Sequence, residues 1–234
     1  MIESLIFKIF GYTEAEILES LSSEGLTPYS LAVDCLDARL VLCVDPRERD
    51  LVTLRVYALF PGCLYREGEG TLAETVLERL HLYHATLSVA ESLTGGMIAS
   101  ALVDVPGASE CFLEGIVSYS NEAKIMRLGV SPVTLDTYGA VSEQVACQMA
   151  KGLMRPGVNY AISTTGIAGP GGGSELKPVG LVYIGVADEM NCSATECRFE
   201  GTRDDIRKLS ANTALYLLWK RLVKPIDFDN MVIE

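Results

Sequence analysis

Ser88-Val89-Ala90-Glu91-Ser92-Leu93-Thr94-Gly95-Gly96 carries the chain from a short apolar run beginning at Leu87 into small polar residues and two glycines, and then into the helical pattern Met97 to Val103. The spacing predicts a buried strand that turns directly into a helix. Such a turn leaves unpaired backbone N–H groups at the C-terminal edge of a sheet, where ligands collect in layered α/β folds. Ser92 lies at the turn. Its plain role is a helix N-cap. Its chemical role would be a hydroxyl beside the converging amides of Thr94, Gly95 and Gly96, which suit an oxyanion or a phosphate.

Outward from this stretch the pattern is α/β. From Thr86 onward strands and helices alternate, predicting a layered sheet with flanking helices. A second strand, Phe112 to Tyr119, runs into a short helix closed by Gly129. A short helix follows Ser131-Pro132, and Ser142 caps a longer one ending at Pro156-Gly157. Val158 to Thr164 reads as a third strand, followed after the Gly/Pro-rich segment 166–180 by an antiparallel pair, Val179 to Ala187 and Cys192 to Phe199. Thr202 caps a final helix to about Val223.

Before this domain, residues 1–75 read as a small α+β unit. Thr13-Glu14-Ala15-Glu16 is a capping box opening a helix. Three alternating runs, Tyr29 to Val33, Arg39 to Val44 and Val52 to Ala58, read as antiparallel strands. A second capping box, Thr71-Leu72-Ala73-Glu74, opens a linking helix. The expected division is 1–75, 76–223 and an acidic tail, 224–234, predicted to be poorly ordered.

With 234 residues, 49% hydrophobic, the chain has material for a proper core. No apolar stretch reaches the roughly 18 residues of a membrane helix, and Met1 to Phe10, which carries Glu3 and Lys8, lacks the form of a signal peptide. A cytoplasmic protein without membrane contact is expected. The net charge of −12 argues against a nucleic-acid surface, which needs clustered Lys and Arg. Seven cysteines, none in a C-x-x-C pair, are expected as buried reduced thiols rather than disulfides.

A serine nucleophile needs a base. Only His81 and His84 exist, both on the linking helix, where they read as solvated or interface residues with no third metal ligand. No metal or cofactor is expected. Lys124 is the better candidate. If Ser120 or Asn121 caps the helix after the second strand, Lys124 falls in its first turn, where the helix dipole opposes a cation and favours the neutral amine. The competing role is a surface pair with Glu122 or Glu143. Tyr119, at the strand end, is placed to donate a hydrogen bond or relay a proton. Gly166-Ile167-Ala168-Gly169-Pro170 with Gly171, Gly172 and Gly173 follows Thr165 directly. It is neither a Walker A loop nor a dinucleotide fingerprint, and it reads as a substrate-binding loop. Arg203 and Arg207 sit unfavourably near the start of the last helix, so one of them is expected to reach a phosphate or carboxylate.

Together, Ala90-Glu91-Ser92-x-Thr94-Gly95-Gly96, Tyr119-Ser120-Asn121-x-x-Lys124, Thr165-Gly166-Ile167-Ala168-Gly169-Pro170-x-Gly172-Gly173 and Lys177-Pro178-Val179-Gly180 resemble the competence/damage-inducible protein CinA family, in particular its C-terminal nicotinamide-nucleotide amidase domain. The family often has a cysteine where this chain has Leu93. The resemblance implies hydrolysis of the carboxamide of nicotinamide mononucleotide to nicotinate mononucleotide and ammonia. Ser92 would be the nucleophile, assisted by Lys124 and Tyr119. Thr165 and the glycine loop, with Gly166 and Gly169, would shape the pocket, and Arg203 would contact phosphate. The implied partners are the nucleotide and further copies of the chain. Full-length members also carry an N-terminal molybdopterin-binding-like domain with metal-dependent pyrophosphatase activity, not expected here. Residues 1–75 look similar to the KH-like middle domain; no G-x-x-G occurs there, so RNA binding is not inferred. The alternative is a non-catalytic nucleotide-sensing or partner-binding module on the same fold.

Overall fold

The computed structural model describes residues 2–223; the acidic stretch 224–234 lies outside them. The first part comprises β1 (Glu3–Phe10), α1 (Glu14–Ser23), β2 (Ser30–Asp34), β3 (Asp37–Val44), α2 (Arg49–Leu59) and β4 (Leu64–Glu67). Its strands form one antiparallel sheet in the order β2-β3-β1-β4. This is the small α+β unit expected, with the connectivity of a split β-α-β-β-α-β arrangement.

Two features of that unit differ from the sequence reading. Val52 to Ala58, expected as a strand, is the middle of α2. Its alternation of Val52, Leu54 and Val56 also satisfies a four-residue spacing. Val52, Val56 and Phe60 enter the core beside Ile17 and Leu21, while Leu54 is 67% exposed. The second difference is that β1 and β4 are strands where the sequence reading assigns no element. Leu5, Phe7 and Ile9 line the core from one face, and Lys8 on the other pairs with Asp37 at 3.2 Å.

The main layer continues with α3 (Leu72–Leu82), β5 (Leu87–Glu91), α4 (Met97–Val103), β6 (Phe112–Val117) and α5 (Asn121–Leu128). There follow α6 (Pro132–Tyr138), α7 (Glu143–Lys151), β7 (Tyr160–Gly166), β8 (Leu181–Asp188), β9 (Cys192–Arg198) and α8 (Arg203–Leu222). The sheet order is β6-β5-β7-β8-β9. β5 runs parallel to both β6 and β7, and β8 and β9 extend the sheet antiparallel. Three parallel strands therefore end on one edge.

Side-chain alternation along the strands builds two cores. Leu87, Val89, Ile162 and Ile184 pack with Val76, Ile98, Leu102, Leu215 and Trp219. Ala90, Ala161 and Ala187 point the other way, against Val145, Met149 and Leu153. These small residues let α7 approach closely enough for Ser163 Oγ to donate to the Ala146 carbonyl at 2.6 Å. The first core continues into the small unit, where the Phe10 and Tyr216 rings lie 4.6 Å apart and the Tyr65 and Trp219 rings 6.3 Å.

The capping boxes at Thr13, Thr71 and Thr202 are all formed. No helix among the described residues is long and apolar enough to cross a membrane. All seven cysteines are free thiols; only Cys111 is buried and Cys43 is exposed, so the expectation of buried thiols holds at one position.

Candidate active site

The chemistry-bearing residues meet where β5, β6 and β7 end. At the first of these ends the ladder runs one rung beyond the strands. The Ser92 N–H donates to the Thr164 carbonyl at 3.0 Å, and the Ser118 N–H to the Glu91 carbonyl at 2.8 Å. Gly95 and Gly96 then take φ values of +60° and +99°. Two consecutive left-handed residues suit glycine alone, and they reverse the chain from β5 into α4.

Two side chains, Glu91 and Arg207, hold this turn. The buried Glu91 carboxylate accepts the N–H groups of Gly96 and Ala99, each at 2.9 Å, and of Ile98 at 3.2 Å. Arg207 donates through Nε to the Leu93 carbonyl at 3.0 Å and through Nη2 to the Thr94 carbonyl at 3.1 Å. A charged residue closing an otherwise apolar strand was the sequence clue to Glu91, because a buried charge needs partners.

These bonds revise the expected anion site. The Gly96 amide belongs to Glu91, and the Gly95 amide donates to the Ser92 carbonyl at 3.2 Å. The Thr94 hydroxyl lies 2.8 Å from that of Thr164. Among the described residues, the amides of Leu93 and Thr94 have no acceptor, so they are the turn's open donors.

Lys124 comes from the second strand end. Ser120 Oγ accepts the Ala123 N–H at 3.1 Å, starting α5. Lys124 sits one turn in and is 1% exposed. Its Nζ donates to the Ser118 carbonyl at 2.8 Å and the Tyr119 carbonyl at 3.3 Å, and lies 3.1 Å from Ser92 Oγ. Neither Glu122 nor Glu143 pairs with it. Burial pulls the amine from 10.5 down to about 8. The sequence reading anticipated the direction but ascribed it to the helix dipole; desolvation of the charged form is the cause. An ammonium has three N–H groups for these three oxygens. A neutral amine keeps two for the carbonyls and turns its lone pair toward the Ser92 hydroxyl. The pocket thus accommodates both states.

Ser92, Lys124, Tyr119, Thr165, Gly166 and Arg203 share a pocket of about 180 Å³, completed by Leu93, Ala140, Val141 and Ala168. Thr165 Oγ1 donates to the Ala140 carbonyl at 2.8 Å. Arg203 donates through Nη1 to the Gly169 carbonyl at 2.8 Å and through Nη2 to the Tyr119 hydroxyl at 3.4 Å. Tyr119, 64% exposed, therefore stands at the mouth with its hydroxyl toward Arg203, while its carbonyl holds Lys124. Arg207 spends its guanidinium on the Ser92 turn, which leaves Arg203 as the arginine of the pocket wall. Gly169 touches the site only through Arg203.

Two larger cavities, about 550 and 560 Å³, lie between the small unit and α4/α8 and at the opposite end of the strands beside Tyr83; neither contains Ser92 or Lys124. His81 Nδ1 lies 3.1 Å from Glu110, away from the pocket.

The CinA C-terminal domain family model matches residues 69–222. A protein of Caldicellulosiruptor saccharolyticus bearing the competence-damage inducible name is 40% identical over 234 residues, covering 95% of this chain and 57% of its own length. A CinA-like protein of Fusobacterium nucleatum is 47% identical over 177 residues, covering 75% of this chain and 43% of its own. The chain thus spans about half the length of the curated relatives it matches. Among solved structures, a competence/damage inducible protein of Agrobacterium tumefaciens is 42% identical with a TM-score of 0.63, covering 65% of this chain and 94% of that one. A CinA-superfamily protein of Klebsiella pneumoniae is 32% identical with a TM-score of 0.62, covering 64% and 95%. The shared fold and the family match over both the serine turn and the lysine helix place this chain in the CinA family, with the family's C-terminal domain at residues 69–222.

Proposed function

We propose that the protein is a nicotinamide-nucleotide amidase, converting nicotinamide mononucleotide and water to nicotinate mononucleotide and ammonia. The observation that carries this reading is the buried Lys124 beside Ser92, at 3.1 Å. A lysine drawn down to about 8 by burial supplies a neutral amine near working pH. Family membership supports the substrate class.

In the first half-reaction Lys124 takes the Ser92 proton as Oγ attacks the carboxamide carbon. The open Leu93 amide, in the pocket wall, is a donor for the oxygen that gains charge. The C–N bond breaks, Lys124 returns the proton to nitrogen, and ammonia leaves a Ser92 ester. In the second, water attacks the ester carbon, Lys124 takes its proton and hands it to the departing Ser92 oxygen, and the carboxylate product is released. The pocket is smaller than the roughly 300–1,000 Å³ of sites that enclose a drug-sized ligand. It suits the carboxamide-bearing ring, with the ribose phosphate leaving past Tyr119 and Arg203. Tyr119 assists by fixing Lys124 through its carbonyl and framing the mouth through its hydroxyl.

Ammonia release from nicotinamide mononucleotide tests the proposal directly. Ser92→Ala should abolish it, and trapping of an ester on Ser92 in rapid-quench mass spectrometry should accompany turnover by the unaltered chain. Binding of the mononucleotide without ammonia release would favour a nucleotide-sensing module instead. The same reading carries a cytoplasmic setting and a homo-oligomeric assembly, which light scattering of the purified chain measures.

A further inference from the structure

We propose that Lys177 is a positioning residue of the Ser92 pocket, fixing residues 139–142 so that the Ala140 and Val141 amides are presented to the substrate. The argument begins with carbonyls. Lys177 Nζ donates to the Tyr138 carbonyl and, at 2.7 Å, to the Val141 carbonyl. Between them, the Gly139 carbonyl accepts from Ser142 Oγ at 2.9 Å and the Ala140 carbonyl from Thr165 Oγ1 at 2.8 Å. Four successive carbonyls, from the last residue of α6 to the residue before the Ser142 cap, are thus each held by a side chain.

The amides of the same segment are treated differently. Ala140 and Val141 both line the pocket, and among the described residues their N–H groups have no acceptor. Backbone donors left open beside a serine–lysine pair suit a carbonyl or phosphate oxygen. Gly139 has φ +72°, and a Cβ there would lie 3.0 Å from Lys177 Nζ, so the turn is shaped around the ammonium.

Lys177 reaches this place because the glycine-rich segment closes on itself. The Ser174 N–H donates to the Lys177 carbonyl at 2.8 Å, and the Lys177 N–H donates to Ser174 Oγ at 3.1 Å. The segment after β7 thereby delivers a cation to the far wall of the pocket. Lys177 itself does not line the pocket and is spent on two carbonyls, which distinguishes it from Lys124.

The test uses Lys177→Met, with Lys177→Arg as the variant that keeps charge and donors. Chymotryptic cleavage after Tyr138 in the folded full chain needs no substrate. It should rise at least about tenfold in Lys177→Met and stay near the unaltered rate in Lys177→Arg. The kinetic arm rests on the amidase reading: KM for nicotinamide mononucleotide should rise about tenfold in Lys177→Met, with kcat changed less than about threefold and partial recovery in Lys177→Arg. Unchanged cleavage and KM in folded Lys177→Met would overturn the proposal, as would cleavage rising equally throughout the chain. If Lys177→Met fails to fold, the comparison of Lys177→Arg with Lys177→Gln decides it, equal cleavage and KM in the two counting against the lysine. Absence of ammonia release in the unaltered chain would remove the amidase reading while the cleavage arm still judged Lys177.

Discussion

Lys124 Nζ stands 3.1 Å from Ser92 Oγ with two carbonyls as its other partners and no carboxylate in contact. A lysine without a counter-ion is a base held in readiness, because no anionic partner offsets the desolvation of the charged form. The amine must be neutral to take the serine proton. The kcat/KM for ammonia release should therefore rise with pH along one limb, with a midpoint near 8, and level off above it. A pH–rate profile flat from 6 to about 9 would remove Lys124 from the role of base.

The same burial taxes stability. In the unfolded chain Lys124 titrates near 10.5, in the folded chain near 8. Below 8 both forms are charged and the folded state bears the whole cost, about 3 kcal/mol at 1.36 kcal/mol per pKa unit. Between 8 and 10.5 the unfolded chain holds the extra proton, so this contribution relaxes and stability rises with pH. Lys124→Met removes the cost and, at pH 7, three hydrogen bonds worth about 1 kcal/mol each. It should match the stability of the unaltered chain at pH 7, fall below it at pH 9.5, and be inactive. Urea unfolding at the two pH values checks this.

Glu91→Gln should damage both fold and rate. The carboxylate accepts three N–H groups, and an amide presents two N–H groups of its own where only acceptors fit. A stability loss of about 2–3 kcal/mol is expected. The kcat should fall more than KM rises, because the Ser92 turn loses its anchor. An unchanged kcat in folded Glu91→Gln would show that the turn holds its shape without it.

The two arginines of α8 should separate cleanly. Arg203 lines the pocket, whereas Arg207 clamps the Leu93 and Thr94 carbonyls. Arg203→Ala should raise KM for the mononucleotide about tenfold and leave the corresponding nucleoside unaffected. Arg207→Ala should instead lower the thermal midpoint and kcat for both. Identical substrate profiles in the two variants would contradict the division.

What the sequence made legible was local. Ser92, Lys124 and Thr165 each lie at or shortly after the end of a strand, so they could be assigned to one sheet edge before any contact was known. The contact between Ser92 and Lys124 spans 32 residues and is a property of the parallel order of β5 and β6. The origin of the low lysine pKa was misread for the same reason. A helix start is visible in sequence, but the three oxygens around the buried amine, on Ser92, Ser118 and Tyr119, lie outside that helix. Glu91 was overlooked because its three partners lie in the following helix. Those partners decide that Leu93 and Thr94, rather than Gly95 and Gly96, keep open amides. Val52 to Val56 satisfied two periods at once, and only the packing against Ile17 and Leu21 chose the helix.

The rungs from Ser92 to Thr164 and from Ser118 to Glu91 have one more consequence. The nucleophile and the residue whose carbonyl seats the lysine are themselves members of the sheet's ladder, so the reacting pair has no hinge of its own. Heat should not loosen this centre ahead of the protein around it. Activity on warming should fade in step with the circular-dichroism signal of the sheet, and a preparation that has kept its strands should have kept its catalyst.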